Sequence, residues 1–549
     1  MILLMSSPVA ARAWNLPADG LDTSSAPAGY EEAYLAKTAS VSPGSTSRPP
    51  LAMLGVPIDN LTTDEAIQKI IEMVDSRRPH YVVTANVDFL VQAQTDVELR
   101  RILFDAHLVL CDGTPLVWAS RMLGNPLAER VAGADVVPLL IRVAVQRKYR
   151  IFLLGATPQS AQQAVTNLRQ QHEGLIIAGH YSPPFRKLLE MDHDEIKKRI
   201  LAAQPDLLFV SFGCPKQEKW IAMHYRALGV PVAAGVGATI DFLAGHMKRA
   251  PVWMQRSGLE WVFRLAQEPR RLFGRYMKDL WVFGRGIFKQ WWQLQFRLQR
   301  NGLEAPRQIL KEPVLTDCDR IPQSKAFEPA RFKRLSLSGR LDLSAIERGV
   351  LPMDAILSDP RDCLAFMAGV EFIDSTGMGR LIELHKKLHA LNRTLVLVEV
   401  SGIVQQGLKL MRMEEFFVTA PNQQAAEEFL QSRDKENPSR MDDLRPSLAE
   451  SLVWQGEITA VNAEEVWNLA RSRLMKAAEE SQPEVVIDLS LLRFIDSSGL
   501  GVMVRIKKLA RHHGTKLVFK NPPPAVLNVV QISRLEEFLL GRTQFGRRK

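Results

Sequence analysis

The chain has 549 residues, 46% of them hydrophobic, and carries a formal net charge of +10. That length calls for about three or four domains, each large enough to bury its own core. Its four cysteines, Cys111, Cys214, Cys318 and Cys363, stand far apart with no CxxC, which excludes a disulfide framework and a cysteine zinc site and fits a reducing compartment.

The opening MILLMSSPVAARAW has a short apolar start and no basic residue ahead of it, so it makes a poor signal peptide. No apolar run is long enough to span a bilayer. Residues 1–50, rich in Ala, Ser, Pro and Thr without periodicity, are expected to form a disordered tail. Met53 to Val56 reads as a first strand, and Thr63 to Arg77 as an amphipathic helix capped at Thr62 or Thr63. From Tyr81 to Gly113 the chain reads YVVTANVDFLVQAQTDVELRRILFDAHLVLCDG. An apolar run ends in Thr84-Ala85-Asn86, a helical pattern extends to Leu103, and a second apolar run stops at Asp112-Gly113. This is strand–helix–strand, the unit of a parallel sheet. Ligands of such sheets bind at the carboxyl ends of strands, where Thr84, Asn86 and Asp112 fall. An acid there accepts a proton or anchors a hydroxyl; equally, Asp112 caps the turn before Gly113.

A helix over Thr114–Leu123 and a loop with Arg130 and Gly133 follow, and Asp135 is a candidate cap for a helix running to Arg147. IFLLGA, with Gly155 and then Thr157-Pro158, has the strand, Gly turn and early Pro of a phosphate cradle without a full GxGxxG. Strands at Leu175–Ala178, Leu207–Ser211 and Val232–Ala234 complete an α/β pattern of a parallel sheet covered on both faces. Lys216 and Gln217 stand just past a strand end, and the Gly235–Gly237 turn offers bare backbone to a ligand. Residues 258–300 then interleave Arg and Lys (Arg264, Arg270, Arg271, Arg275, Lys278, Arg285) with Trp and Phe at helical spacing. Two readings stand: an interfacial segment on an anionic membrane surface, or a packed helical pair with snorkelling Arg. Specific nucleic-acid binding is disfavoured, because the aromatics recur as one apolar face.

The motifs TANVDFL, LVLCDGTPLVW, RVAGADVV, IFLLGA, FVSFGCPKQEKWI, GVGATIDFLAG and KRAPVWMQRSGLEWVFRLAQEPRRLFGRY, in this order over about Leu51 to Lys278, resemble the WecG/TagA/CpsF glycosyltransferase family. The resemblance implies a Rossmann-like parallel-sheet domain over 51–257 with a basic helical appendage over 258–300. It implies transfer of a hexose, of N-acetylmannosamine type or another, from a UDP-sugar to a polyprenyl-diphosphate-linked saccharide, with no bound catalytic metal and no cofactor. Asp112 matches the family's catalytic aspartate, and Thr84 and Asn86 match its site threonine and asparagine. Arg264, Arg270, Arg271 and Arg275 fit its diphosphate-contacting arginines. Cys111 is a departure, standing where Pro is expected in many relatives.

Residues 301–325, with Pro306, Pro313 and Pro322, read as a linker. After it the sequence repeats: Val370–Phe417 matches Leu492–Leu539 without a gap. Each copy reads strand, helix, strand, then Asp-Ser-(Thr/Ser)-Gly opening a further helix, then strand and helix. These copies, 326–432 and 447–545 with a spacer at 433–446, resemble STAS domains, the fold of anti-sigma-factor antagonists. Ser375 and Ser497 match that family's phosphorylated serine, which implies a kinase or a STAS-binding protein as partner; the plainer reading is that Asp374, Asp496 and these serines cap helices. The first copy carries a longer, Pro-containing insert around Leu351–Asp362. The expectation is a bacterial glycosyltransferase, cytoplasmic and peripheral on the inner face of the cell membrane, regulated or tethered by its STAS domains. The competing class is a catalytically silent STAS scaffold.

Overall fold

The structure is a computed structural model that describes residues 48–247, 249–293, 332–414, 416–435, 451–479 and 484–541. The expected linker and most of the expected tail and spacer lie outside these residues, as does the Arg271 side chain.

The opening strand is a hairpin instead. β1 (Leu51–Met53) pairs antiparallel with β2 (Val56–Ile58), because Leu54 and Gly55 both take positive φ and turn the chain back. α1 (Thr63–Asp75) is closed by a Thr62/Glu65 capping box and buries Ala66, Ile67, Ile70, Ile71 and Val74 on one face. β3 (His80–Ala85) leads to α2 (Val87–Gln92) and α3 (Val97–Asp105), two helices where one was expected. The break falls where the Asp96 carboxylate accepts the Leu99 N–H at 3.0 Å and starts a new helix. β4 (Leu108–Cys111), α4 (Thr114–Met122), α5 (Gly133–Arg147), β5 (Arg150–Gly155), α6 (Pro158–Gln171), β6 (Ile176–Tyr181), α7 (His193–Ala203), β7 (Leu207–Ser211), α8 (Lys216–Leu228) and β8 (Val232–Gly235) complete a six-stranded sheet of order β4-β3-β8-β7-β5-β6, parallel throughout. Successive strand residues serve opposite cores: Val83, Val109, Leu208 and Val210 on one face, Val82, Leu108, Leu207 and Phe209 on the other. Covering both faces with helices is why these strands read as continuous apolar runs.

Beyond α9 (Thr239–Leu243) come the appendage helices α10 (Val252–Arg256), α11 (Glu260–Gln267) and the 24-residue α12 (Pro269–Trp292). α12 packs beside α2, and its Leu272, Asp279, Phe283, Ile287 and Gln290 are buried.

The first repeat comprises β9 (Lys333–Leu341), α13 (Leu343–Glu347), α14 (Met353–Leu357), β10 (Cys363–Ile373), α15 (Ser375–Ala390), β11 (Leu395–Val398), α16 (Gly402–Leu410), β12 (Val418–Ala420) and α17 (Gln423–Lys435), around a parallel sheet β12-β11-β10-β9. The second comprises β13 (Ser451–Ile458), α18 (Ala463–Glu479), β14 (Glu484–Ile495), α19 (Ser497–His512), β15 (Lys516–Lys520), α20 (Pro524–Ile532) and α21 (Glu536–Leu539), around β13-β14-β15. The paired aspartates are N-caps. Asp374 accepts from the Thr376 and Gly377 amides, and Asp496 from those of Ser498 and Gly499.

The two serines are not open phosphorylation sites in this arrangement. Ser375 is 0% exposed and its hydroxyl meets the Gln290 amide of α12 at 2.9 Å. Ser497 is 4% exposed, and its backbone N–H donates to Glu98 on α3. A phosphate there would need the first domain to move away. A Cβ at Gly379 would collide with the Pro50 carbonyl. Gly379→Ala is therefore expected to cost about 1–3 kcal/mol of stability, more than the ~1 kcal/mol that alanine gains in helix propensity, read as a lowered melting temperature.

Candidate active site

Three neighbouring strand ends meet at the carboxyl edge of the sheet. The Asp112 N–H donates to Ala85 O at 2.8 Å, tying the end of β4 to that of β3, and Thr84 Oγ1 donates to Gly235 O at 3.3 Å, tying β3 to β8. Asn86 caps α2 by accepting from the Asp88 and Phe89 amides at 3.0 and 3.4 Å. Its side-chain oxygen is thereby committed to the cap.

Asp112 caps nothing. The N-cap of α4 is Gly113, and that helix has no side-chain cap. Burial raises the Asp112 pKa to about 6, opposed by Arg130 and then Arg264 and assisted by Glu260 and Asp135. The Val131 N–H donates to Cys111 O at 2.8 Å, which lays the Arg130 loop against the end of β4. Burial pushes the neighbouring Cys111 thiol up to about 12, so it stays protonated at neutral pH.

A cluster of alternating charge lies beside Asp112. Arg130 meets Asp135 at 2.7 Å and Glu260 at 3.3 Å. Arg249 pairs with Asp135 and lies 3.7 Å from Glu260, and Arg264 stands 3.6 Å from the same Glu260 oxygen. Three guanidiniums against two carboxylates leave one positive charge, and the buried Arg249 Nε has no hydrogen-bond partner. Arg130 comes from the loop before α5, Arg249 from the connector into the appendage, and Glu260 and Arg264 from α11. The appendage thus brings its charges to the sheet edge. Asp135, expected as a cap, instead lies inside the first turn of α5 as the anchor of two arginines.

The other expected positions divide. Arg264 joins the cluster; Arg275 faces Asp88 at 4.0 Å, and Arg270 is exposed. Lys216 opens α8, donates to Arg186 O at 2.6 Å and lies 5.1 and 5.3 Å from the Phe185 and Phe212 rings; burial lowers its pKa. Gln217 is not a free ligand. It is 2% exposed, accepts from the Gly213 and Gly237 amides at 3.1 and 3.3 Å, and donates to Glu218 at 2.7 Å, bracing two loops together. Gly235 lacks a side chain because Gln217 and Glu218 fill the space, each 2.8 Å from where its Cβ would stand. Of the three expected glycines, only Gly237 has nothing within 4 Å and makes an open turn. At Gly155 a Cβ would strike Ser211 O, so the glycine serves strand packing, while Thr157 caps α6.

Sequence reading passed over Arg130, Arg249, Asp135 and Glu260 as site residues. The available signal was their place inside the RVAGADVV, KRAP and GLEW motifs, where charged residues interrupt apolar context. Among the described residues no three His, Cys, Asp or Glu side chains converge in a way that could hold a metal ion.

Residues 51–297 match the model of the Glycosyl transferase WecG/TagA/CpsF family, residues 333–426 that of the STAS domain, and residues 448–541 that described as Mlab, STAS domain. Among curated proteins the chain is similar to the N-acetylglucosaminyldiphosphoundecaprenol N-acetyl-beta-D-mannosaminyltransferases of Staphylococcus aureus strains MW2, NCTC 8325 and MRSA252. Each is 30% identical over 233 residues, covering 42% of this chain and 89% of the relative.

Proposed function

The chain belongs to the WecG/TagA/CpsF glycosyltransferase family, and from that premise we propose that it moves a hexose, of N-acetylmannosamine type as in the named relatives, from a UDP-sugar to a polyprenyl-diphosphate-linked saccharide. The observation that carries this reading is an uncapped Asp112, with a pKa of about 6, facing an arginine cluster. The Asp112 carboxylate takes the proton of the acceptor hydroxyl as that oxygen attacks the anomeric carbon. The bond from the anomeric carbon to the β-phosphate oxygen breaks, and UDP leaves with the electron pair. Arg130, Arg249 and Arg264 stand where the diphosphate charge needs compensation. Thr84 and Asn86 line the sugar side of the same edge, and Lys216 and the Gly237 turn border the nucleotide side.

We propose further that it works on the inner face of the cell membrane. Among the described residues no helix is long and apolar enough to cross a membrane. α12, however, exposes Phe273, Met277, Leu280, Trp281 and Phe288 along one side, with Arg275, Lys278, Arg285 and Lys289 also exposed. This suits an interfacial helix on an anionic surface. Replacing Trp281 and Phe288 by Ser is expected to weaken binding to phosphatidylglycerol vesicles by about tenfold or more in a flotation assay, given roughly 1.5–3 kcal/mol for each large apolar side chain. Equal flotation of the variant would place the contact elsewhere.

The test of the whole reading is UDP release from a panel of UDP-sugars with a polyprenyl-diphosphate-GlcNAc mimic, for the wild type and Asp112→Asn. Release that needs one sugar and Asp112 identifies the donor. No release from vesicle-bound, folded protein favours the scaffold.

A further inference from the structure

We infer that α3 is the element through which both STAS domains hold the transfer site in its working geometry, an inference that rests on Asp112 being the base of a sugar transfer. α3 lies in the crossover from β3, which carries Thr84 and runs into Asn86, to β4, which runs into Asp112. It contributes no group to the site, but it belongs to the one stretch of chain that joins those two strands, whose ends are also tied directly by the Asp112 N–H to Ala85 O bond.

Both STAS domains grip it. From the second, the Ser497 N–H in the first turn of α19 donates to Glu98, whose other oxygen lies 2.7 Å from Lys219 of α8; Asp96 lies 2.8 Å from the same ammonium. One helical turn on, Arg101 pairs with Glu457 at 2.7 Å and lies 4.5 Å over the Phe494 ring. At the far end, Phe104 stacks on Phe416 of the first STAS domain at 4.4 Å and belongs, with Ala52, to that domain's apolar core. Arg412 of the same domain donates to Gln94 O in the turn that precedes α3.

The grip extends to the appendage. Gln290 of α12 donates to Ala52 O and meets the Ser375 hydroxyl, both at 2.9 Å, and accepts from the Leu54 N–H at 2.9 Å. The helix that follows the Arg264 segment is therefore pinned to the hairpin by its own Gln290, and the same side chain ties both to the first STAS domain through Ser375. Glu98 is 2% exposed; one of its oxygens is paired with Lys219 inside the first domain, and the other takes its amide donor, at the N-terminus of α19, from the second STAS domain. Seating both domains narrows the range of positions open to α3 and α12, and so to the Asp112 edge and the arginines facing it. The docked chain is the competent one, and undocking slows transfer.

Neither Arg101 nor Glu457 belongs to the catalytic machinery, so their charge swap tests the inference in the full chain. Arg101→Glu and Glu457→Arg, singly, are expected to speed hydrogen exchange at the Ser497–Gly499 amides by about tenfold and to lower kcat by about fivefold. The double variant is expected to return both readouts to within about twofold of wild type. Glu457→Arg leaves every transferase residue intact, so its effect on kcat cannot come from a misfolded α3. Exchange that rises while transfer stays at or above the wild-type rate overturns the inference, as does exchange unmoved by both single reversals. A wild-type chain that transfers no sugar sinks the transferase reading itself, whereas a transferring chain indifferent to undocking sinks only this one.

Discussion

Asp112→Asn is expected to lower the rate of sugar transfer by about a thousandfold, within the roughly 10²–10⁴ that a positioned general base contributes. The amide fills nearly the same volume and accepts no proton. The same change is expected to make the folded chain more stable at pH 8. The Asp112 carboxyl titrates near 6 when folded, chiefly because it is buried, against about 3.9 in an unfolded chain. A raised folded pKa on an acid means that folding favours the protonated form. The penalty is absent below pH ~4, grows as pH rises to 6 and is complete above it. Its upper bound is about 3 kcal/mol, so a gain of about 1–3 kcal/mol is expected at pH 8, vanishing near pH 4. Urea midpoints at the two pH values, set beside transfer rates, check both halves. A variant that is inactive and also less stable at pH 8 would point to a structural role. In the wild type, kcat/KM is expected to fall on acidification with an inflection near pH 6.

Arg130→Ala is expected to lower kcat/KM by about a hundredfold, as removal of one charge-stabilising donor commonly does. Two further consequences separate this from a general loss of structure. Arg130 is the largest opposing influence on the burial-raised Asp112 pKa, so its loss moves the acid limb of the pH profile upward from 6. It also leaves Asp135 and Glu260 with one guanidinium fewer, adding negative charge where a diphosphate must sit, so KM for the UDP-sugar should rise along with the fall in kcat. Arg130→Lys is expected to recover part of the rate, since a point charge replaces a forked donor that holds two carboxylates at once. A pH profile that keeps its inflection at 6 in Arg130→Ala would show that Arg130 does not act on Asp112.

How far the sequence reached differs from part to part. Alternating apolar runs and Gly or Asp stops placed the parallel strands, and the ungapped repeat placed both STAS domains, because these features follow from local periodicity and chain length. Thr84, Asn86 and Asp112 were reachable for the same reason: strand ends are local events, and the strands of a parallel sheet end on one edge. That Gln217 and Gly235 meet neighbouring loops was not legible, because whether a polar side chain meets a ligand or another loop depends on which loops lie next to each other. Here residues 213, 217, 218, 235 and 237 close on themselves.

By itself, then, the sequence determined most of the strand order along the chain, the Thr62, Asp374 and Asp496 caps, the basic aromatic face of the appendage and the place of Asp112 at a strand end. The tertiary structure alone decided that Arg130, Arg249 and Arg264 share Asp135 and Glu260 beside that carboxyl, and that burial lifts its pKa. It alone decided too that Ser375 and Ser497 face the first domain rather than solvent. Each of these outcomes joins residues distant along the chain, from Glu98 to Ser497 at the extreme. Proximity across such separations is set by how whole elements pack, which no local pattern encodes.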